Sequence, residues 1–464
     1  MAVCSPPQWK ERVLVSTTKT ATRPNHTATR NACKLCAPLG ASLVFKGIQG
    51  AMVLLHGSQG CSTYIRRYVI GHFREPIDIA SSSFSEETTI FGGGDNLRLA
   101  IGNMVQQYHP SLIGIATTCL AETIGEDIAM HLRGLDPATE LPPIVHVSTP
   151  SYHGTHIDGF HRTVYGLIDR FAQYAPPRQS VALFPGMLSP ADFRHLRSVV
   201  ESFGLECIMT PDYSLTLDGG SWEDYQSIPQ GGTTIEELTA TGGCTAAIEF
   251  RSVVKPELSA SALLNQRCHM SSYTLPLPLG IEACDRFFST LSRIAGTPVP
   301  QQHTLTRARL VDSYVDGHKF VAGKRVAVYG DEDLAPALAL FAAEIGCRVT
   351  VIVSGASEKQ LRGTCASLPN LSETMVLPDA DFEDLSAAAA LTDTELLIGS
   401  SKGYHLARKL GIPLVRAGFP VHDRLGGQRL LHTGYEGTLQ LFDRIVNTII
   451  DHKQAASDVG YMTW

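Results

Sequence analysis

Short apolar runs alternate with amphipathic stretches along almost the whole chain. Ala51–Leu55 (AMVLL), Leu112–Ala116 (LIGIA) and Ile144–Val147 are compact runs bounded by His, Gly, Pro or Ser. Runs of that length and composition predict strands buried on both faces. Between them, Ser62–Phe73, the segment from Asp95 to about His109, Glu122–Leu132 and Gly159–Ala175 carry apolar residues at helical spacing. Ser83 with Glu86 fits a capping box, and Asp95, just after the break at Gly92–Gly94, is placed to cap the next helix.

Pro176–Pro177 marks a boundary, and the alternation then resumes. Strand Val181–Phe184, helix Ser189–Phe203 and strand Leu205–Thr210 lead into a Gly-, Ser- and Asp-rich loop over 212–232. Thr233–Gly242, Ala246–Phe250 and Pro256–Arg267 continue the pattern. A third block opens near Gly296–Pro300 with a long helix from about Thr304 to Phe320. Strands follow at Arg325–Tyr329, Arg348–Val353, Glu395–Ile398 and Pro413–Ala417, with helices at Leu334–Ile345, Tyr404–Leu410 and about Gly437 to His452. Strands alternating with helices predict parallel sheets covered on both sides. The expected fold class is therefore α/β: three doubly wound domains over 32–176, 177–298 and 299–464, behind a polar N-terminal arm over 1–31.

Composition narrows the function classes. The 464 residues agree with about three domains at roughly 150 residues each. Thirty-eight basic against 45 acidic side chains give a net charge of −7, which argues against nucleic acid as a partner. No run approaches the roughly 18 apolar residues of a membrane span, and the arm lacks the apolar centre of a signal peptide. A cytoplasmic protein without a membrane partner is expected. The 11 cysteines are odd in number, and in a long cytoplasmic chain they do not suit a disulfide framework.

Polar chemistry concentrates in the first block. Cys36 stands in CAPLGA, Cys61 in HGSQGC and Cys119 in TTCLAE. The last two follow predicted strands and precede predicted helices, so they lie at the carboxyl edge of a parallel sheet, where ligands bind. A helix N-terminus favours the thiolate that binds metal. Three thiolates are too few for a closed four-ligand site, but fit half of an iron–sulfur cluster shared with another chain. The alternative is three buried structural cysteines. Cys33 forms a lone CxxC pair with Cys36 and is read as a bystander. Ser401 in GSSKG, followed by Asp423 and His432, matches a nucleophile elbow in hydrolase order, against which stands a plain Gly/Ser turn. Gly92–Gly94 before a helix could hold a phosphate, although no P-loop motif exists; Gly330 is read as a turn rather than a dinucleotide site. His56, His72, His156 and His422 are candidate ligands, each with hydrogen-bonded structural roles as the alternative. Phe91, just before the glycines, is an apolar tip that either packs inward or forms a docking surface.

Taken in order, CAPLGA, HGSQGC, HFREP, FGGGDN, TTCLAETIGED, TPSYHGTH, PLGIEACDRFF, GKRVAVYGD and GFPVHDR resemble the nitrogenase component 1 family, and within it the β-type subunits. The resemblance covers nearly all of the chain from about residue 31. It implies three α/β domains, a homologous α subunit in an α₂β₂ complex and an ATP-dependent iron-protein reductase as partner. It further implies that Cys36, Cys61 and Cys119 hold half of an [8Fe-7S] P-cluster that relays electrons to a catalytic metallocluster in the α subunit. Ser151 matches a serine able to ligate the oxidised cluster, although His153 and Thr155 depart from the usual pattern after it. Phe91 matches a position that contacts the iron protein. The chain would then serve a nitrogenase-like oxidoreductase acting on a methylthio-alkane or dinitrogen. The alternative within the family is a non-catalytic scaffold for cofactor assembly with a [4Fe-4S] cluster. Retention of all three cysteines points to the reductase, while Gly418–Arg429 is similar to the scaffold chains. Outside the family, the remaining alternative is a serine hydrolase using Ser401.

Overall fold

The computed structural model describes residues 33–135, 140–252, 256–366 and 371–458. The expected N-terminal arm over 1–31 lies outside them.

Three parallel sheets flanked by helices carry the fold. In the first, the spatial order is Ala80–Ser81, Ala51–His56, Leu112–Thr117, Ile144–Val147. In the second it is Glu206–Met209, Arg178–Phe184, Cys244–Phe250, Ser271–Leu275. In the third it is Met375–Leu377, Arg348–Ser354, Arg325–Gly330, Leu396–Gly399, Leu414–Arg416. Every strand of Ala51–His56 and Leu112–Thr117 is buried along its full length, because helices cover both faces. That double burial is what the unbroken apolar runs encode.

The differences from the sequence pattern lie at edges and helix ends. The edge strands Ala80–Ser81, Ser271–Leu275 and Met375–Leu377 are short or half polar, so no apolar run marks them. The stretch expected as one helix over Glu122–Leu132 is two, Cys119–Thr123 and Ile128–Arg133, because Asp127 accepts from the Met130 N–H at 2.9 Å and starts a new helix. The capping box falls at Ser85 and Thr88 rather than Ser83 and Glu86. The helix Gly94–Tyr108 has Gly93 at its cap, and Asp95 instead pairs with Arg98 in the first turn. The helix Ile281–Ala295, which joins the second block to the long helix Gln301–Val321, was not separately marked by the pattern.

One apolar cluster runs through side chains of all three sheets. Buried carboxylates bridge the same junctions. Asp333, beyond the end of Arg325–Gly330, lies 2.9 Å from His161 Nε2 and accepts from the Ser252 N–H at 2.6 Å, so residues from all three blocks meet on one side chain. Asp192 accepts from Ser189 Oγ at 2.8 Å, from the His432 and Thr433 N–H groups at 2.7 and 2.9 Å, and from Thr433 Oγ1 at 3.0 Å. It thereby fixes the entry to the last helix, Gly434–Ala455. Among the described residues no helix is long and apolar enough to cross a membrane.

Candidate functional site

From Ala51–His56 the chain crosses to Ala80–Ser81 on one side, then returns to Leu112–Thr117 on the other. Such a reversal opens a crevice beyond the carboxyl ends of the two central strands. His56 pairs with Thr117, so the loops that follow leave the sheet side by side. In one, Ser58 accepts from the Gly60 N–H and caps the helix Gln59–Phe73, whose third residue is Cys61. In the other, Thr118 precedes Cys119, the first residue of its helix. Gly57, at φ 150°, lets the two loops touch. Cys36 directly precedes a third helix, Ala37–Lys46. That helix crosses His156–Phe171 with no room for side chains between them, since a Cβ on Gly40 would stand 1.8 Å from the His156 carbonyl oxygen and one on Gly159 2.0 Å from that of Ala37.

Ser151 lies where the three segments meet. Its N–H donates to Cys119 Sγ at 3.2 Å, and its Oγ accepts from the Ala37 N–H at 3.1 Å. Burial pushes the Cys36 thiol up; a hydrogen bond with Ser151 draws it down, and the neighbouring Cys119 adds to the rise. Cys61 is raised by burial and then by Cys36 and Cys119. All three thiols are free and half-buried. The structure thus brings Cys36, Cys61, Cys119 and Ser151 to one place. Among the described residues, no three His, Cys, Asp or Glu side chains close around a single metal ion.

Cys33 is turned elsewhere. Its N–H donates to the Ala380 carbonyl at 3.0 Å, it packs against apolar side chains of the third sheet, and burial pushes its thiol up to about 12. His156 acts as a clamp: its Nδ1 accepts from the Leu35 N–H at 3.3 Å, holding the strand-like entry to Cys36, and burial lowers it to about 3.

Phe91 is 82% exposed and Ile90 74%, an apolar tip open to the surface. The glycines behind it do not present an empty anion cradle. The Gly93 N–H donates to Glu126 Oε1 at 2.6 Å, and Glu126 Oε2 faces His131 Nε2 at 3.0 Å and His56 Nε2 at 3.4 Å. Burial works against ionisation, but the bonds from Gly93 and His56 hold this carboxyl below its ordinary range. The chain's own carboxylate takes the Gly93 N–H that a phosphate could have used.

The hydrolase constellation is not assembled. Ser401 Oγ donates to the Pro420 carbonyl at 3.0 Å and accepts from the His422 N–H at 3.0 Å. Asp423 clamps Arg416 through bonds of 2.8 and 2.6 Å, and His432 faces Asp192. Among the described residues no base reaches the serine, so this alternative is set aside. His72 Nδ1 accepts from the Val421 N–H at 2.9 Å, and His422 Nε2 lies 3.3 Å from the Tyr68 carbonyl. Beyond Gly330, Asp331 accepts from the N–H groups of Asp333 and Leu334, which closes the turn without a dinucleotide.

Sequence reasoning missed Glu126 and His131, which tie the Phe91 loop to the segment after Cys119. Glu126 stands seven residues after Cys119 in a motif already singled out.

Comparison with known proteins gives consistent matches. The profile of the nitrogenase component 1 type oxidoreductases matches residues 36–450. The chain is 34% identical over 429 residues to the nitrogenase molybdenum-iron protein beta chain of Clostridium pasteurianum, covering 91% of this chain and 93% of that one. It is 35% identical over 426 residues to the nitrogenase iron-molybdenum cofactor biosynthesis protein NifN of Mesorhizobium japonicum, covering 90% of each. The solved structure of nitrogenase Cp1 at pH 6.5 superposes with a TM-score of 0.90 at 32% identity, covering 95% of this chain and 98% of that one.

Proposed function

We propose that this chain, which belongs to the nitrogenase component 1 type oxidoreductases, is the β-type subunit of a nitrogenase-like reductase. In this reading it pairs with a homologous α subunit in an α₂β₂ complex, and an ATP-dependent iron protein docks over Phe91 and Ile90. Cys36, Cys61 and Cys119 hold half of an interface [8Fe-7S] P-cluster, with Ser151 beside them. The catalytic metallocluster belongs to the α subunit, and the substrate is a methylthio-alkane or dinitrogen. The expected units over 32–176, 177–298 and 299–464 each enclose one sheet, and only the first carries cluster ligands.

The observation that carries the reading is the convergence of three free, half-buried thiols and one serine at the crevice of the first sheet. The donor set fits the group: thiolates are the usual ligands of iron–sulfur clusters, and three from one chain leave the rest to a partner. When bound, such a cluster supplies low-potential electron transfer. The chain's own residues hold and orient it. Ser58 and Thr118 set the starts of the helices that carry Cys61 and Cys119. His156 and the Gly40–Gly159 crossing fix the approach of Cys36. The apolar cluster behind the crevice excludes water from that side.

A second reading, a scaffold for cofactor assembly with a [4Fe-4S] cluster, is favoured by the 35% identity to NifN. Mössbauer spectroscopy across a redox titration of the anaerobically purified complex separates the two. An eight-iron cluster with several oxidation states supports the reductase; a four-iron cluster with one couple supports the scaffold.

A further inference from the structure

One carboxylate stands between the exposed tip and the two cysteine loops of the first sheet. Ile90 and Phe91 end the short helix Glu86–Phe91, and Gly92 and Gly93 turn the chain back beneath them. The Glu126 side chain lies under that turn and is only 5% exposed. Its Oε1 accepts from the Gly93 N–H, while its Oε2 faces His131 and His56.

Each partner belongs to a different part of the site. Gly93 follows the tip. His56 is the last residue of the strand that leads into the Cys61 loop, and its side chain is fully buried. Glu126 itself ends the turn after the Cys119 helix, where its N–H donates to the Ala121 carbonyl at 3.1 Å. The seam between these segments is tight. A Cβ on Gly93 would stand 2.3 Å from Phe84 Cζ and 3.2 Å from His56 Cε1, and one on Gly94 would stand 2.4 Å from His131 Cε1. Phe84 meets the His56 ring edge-on at 4.8 Å, and its N–H donates to the Gly57 carbonyl at 2.9 Å. Hydrogen bonds to an ionised carboxylate are short and directional, so Glu126 holds all three segments in one register.

We propose that Glu126 is a positioning residue for electron delivery: its carboxylate fixes the tip, where the iron protein docks, against the loops that carry Cys61 and Cys119. The proposal rests on the cluster-binding and docking reading above. In the transfer, one electron leaves the docked reductase, which is oxidised, and enters the group held by the thiols, which is reduced; Glu126 gives up neither proton nor electron. Such a transfer slows steeply as donor and acceptor separate, and a misplacement of about 1 Å can cost on the order of a hundredfold in a positioned reaction. Without the carboxylate, Phe91 and Ile90 still meet the iron protein, but their distance from the thiols is no longer set.

The test uses the complex with its α partner and its iron protein, purified without oxygen, as wild type, Glu126→Ala and Glu126→Gln. The glutamine keeps a carbonyl oxygen for the Gly93 N–H. Interface iron in the wild type and turnover of Phe91→Asp come first; absent iron, or unimpaired turnover in Phe91→Asp, defeats the underlying reading, whatever Glu126 does. With both in place, Glu126→Ala is expected to keep its iron and to half-saturate with reductase within about threefold of wild type, while stopped-flow electron transfer at saturating reductase falls by about tenfold or more. Glu126→Gln is expected to transfer within about threefold of wild type. Hydrogen exchange of the complex alone, without reductase or turnover, is expected to be about tenfold faster at the Gly93 amide in Glu126→Ala and near wild type in Glu126→Gln. Iron lost from Glu126→Ala would make the residue a support of the cysteine loops alone and overturn the proposal. Wild-type transfer in Glu126→Ala at saturating reductase overturns it too, and leaves the cluster and docking readings standing.

Discussion

Gly57 lies so close to Thr118 that a β-carbon on the glycine would stand 1.9 Å from the threonine Oγ1. These two residues begin the loops that deliver Cys61 and Cys119. Gly57 also has a φ of 150°, which side-chain-bearing residues rarely adopt. Gly57→Ala is therefore expected to part the loops, at a cost of about 1–3 kcal/mol from overpacking alone. Thermal unfolding and iron analysis of the complex check this. A variant with unchanged Tm and full iron would show that the contact does not set the thiol positions.

The cysteines divide into two classes. Cys61→Ala and Cys119→Ala are expected to lose interface iron and partner-driven turnover. Cys33→Ala is expected to keep both, because Cys33 is buried against the third sheet and its thiol is pushed up to about 12. Iron content of the three variants decides; iron loss in Cys33→Ala equal to that in the others would contradict the division.

Asp192 makes acid stability a test of the fold. Burial opposes its charge, but His432 and the bonds from His432 and Thr433 hold its carboxyl at about 2 instead of 3.8. A carboxyl lowered on folding stabilises the native state above its unfolded value and loses that contribution as pH falls through the folded one. Its ionisation contributes about 2 kcal/mol at neutral pH. Asp192→Asn should be less stable by at least that amount at pH 7, with the gap narrowing below about pH 4. Urea unfolding at pH 7 and pH 3 reads it; a gap independent of pH would refute the assignment.

Phe91 tests the docking surface. The side chain is 82% exposed, so Phe91→Asp should change stability by no more than about 0.5 kcal/mol. Turnover driven by the iron protein is expected to fall at least tenfold, with iron content unchanged. Unimpaired turnover at saturating and limiting reductase would remove Phe91 from the interface.

Ser401 should not react with a fluorophosphonate, because its hydroxyl is engaged by Pro420 and His422 and no base among the described residues reaches it. Mass spectrometry after treatment checks this, and labelling at Ser401 would reopen the hydrolase reading.

The sequence made the central elements legible because double burial leaves unbroken apolar runs such as AMVLL and LIGIA. The loops bearing Cys61 and Cys119 followed from strand–turn–helix order, and their adjacency follows from the His56–Thr117 pairing, which no local pattern encodes. The place of Cys36 depends on the Gly40–Gly159 crossing between segments far apart in sequence. Polar edge strands such as Ser271–Leu275 escaped because they carry no apolar signature. At Gly92–Gly94 the loop suits an anion, and the anion it meets is Glu126 of the same chain.

Asp333 answers at once to His161 and to the backbone of Ser252. A carboxylate shared in this way cannot be abandoned piecemeal, because loss of either partner leaves a buried charge under-satisfied. Each block therefore lends the others part of its stability, and separation along the boundaries visible in the chain would break this shared contact. Heat or denaturant should meet a single cooperative body whose parts fail together, so a truncated block carrying the three cysteines would lack the support that keeps its crevice in shape.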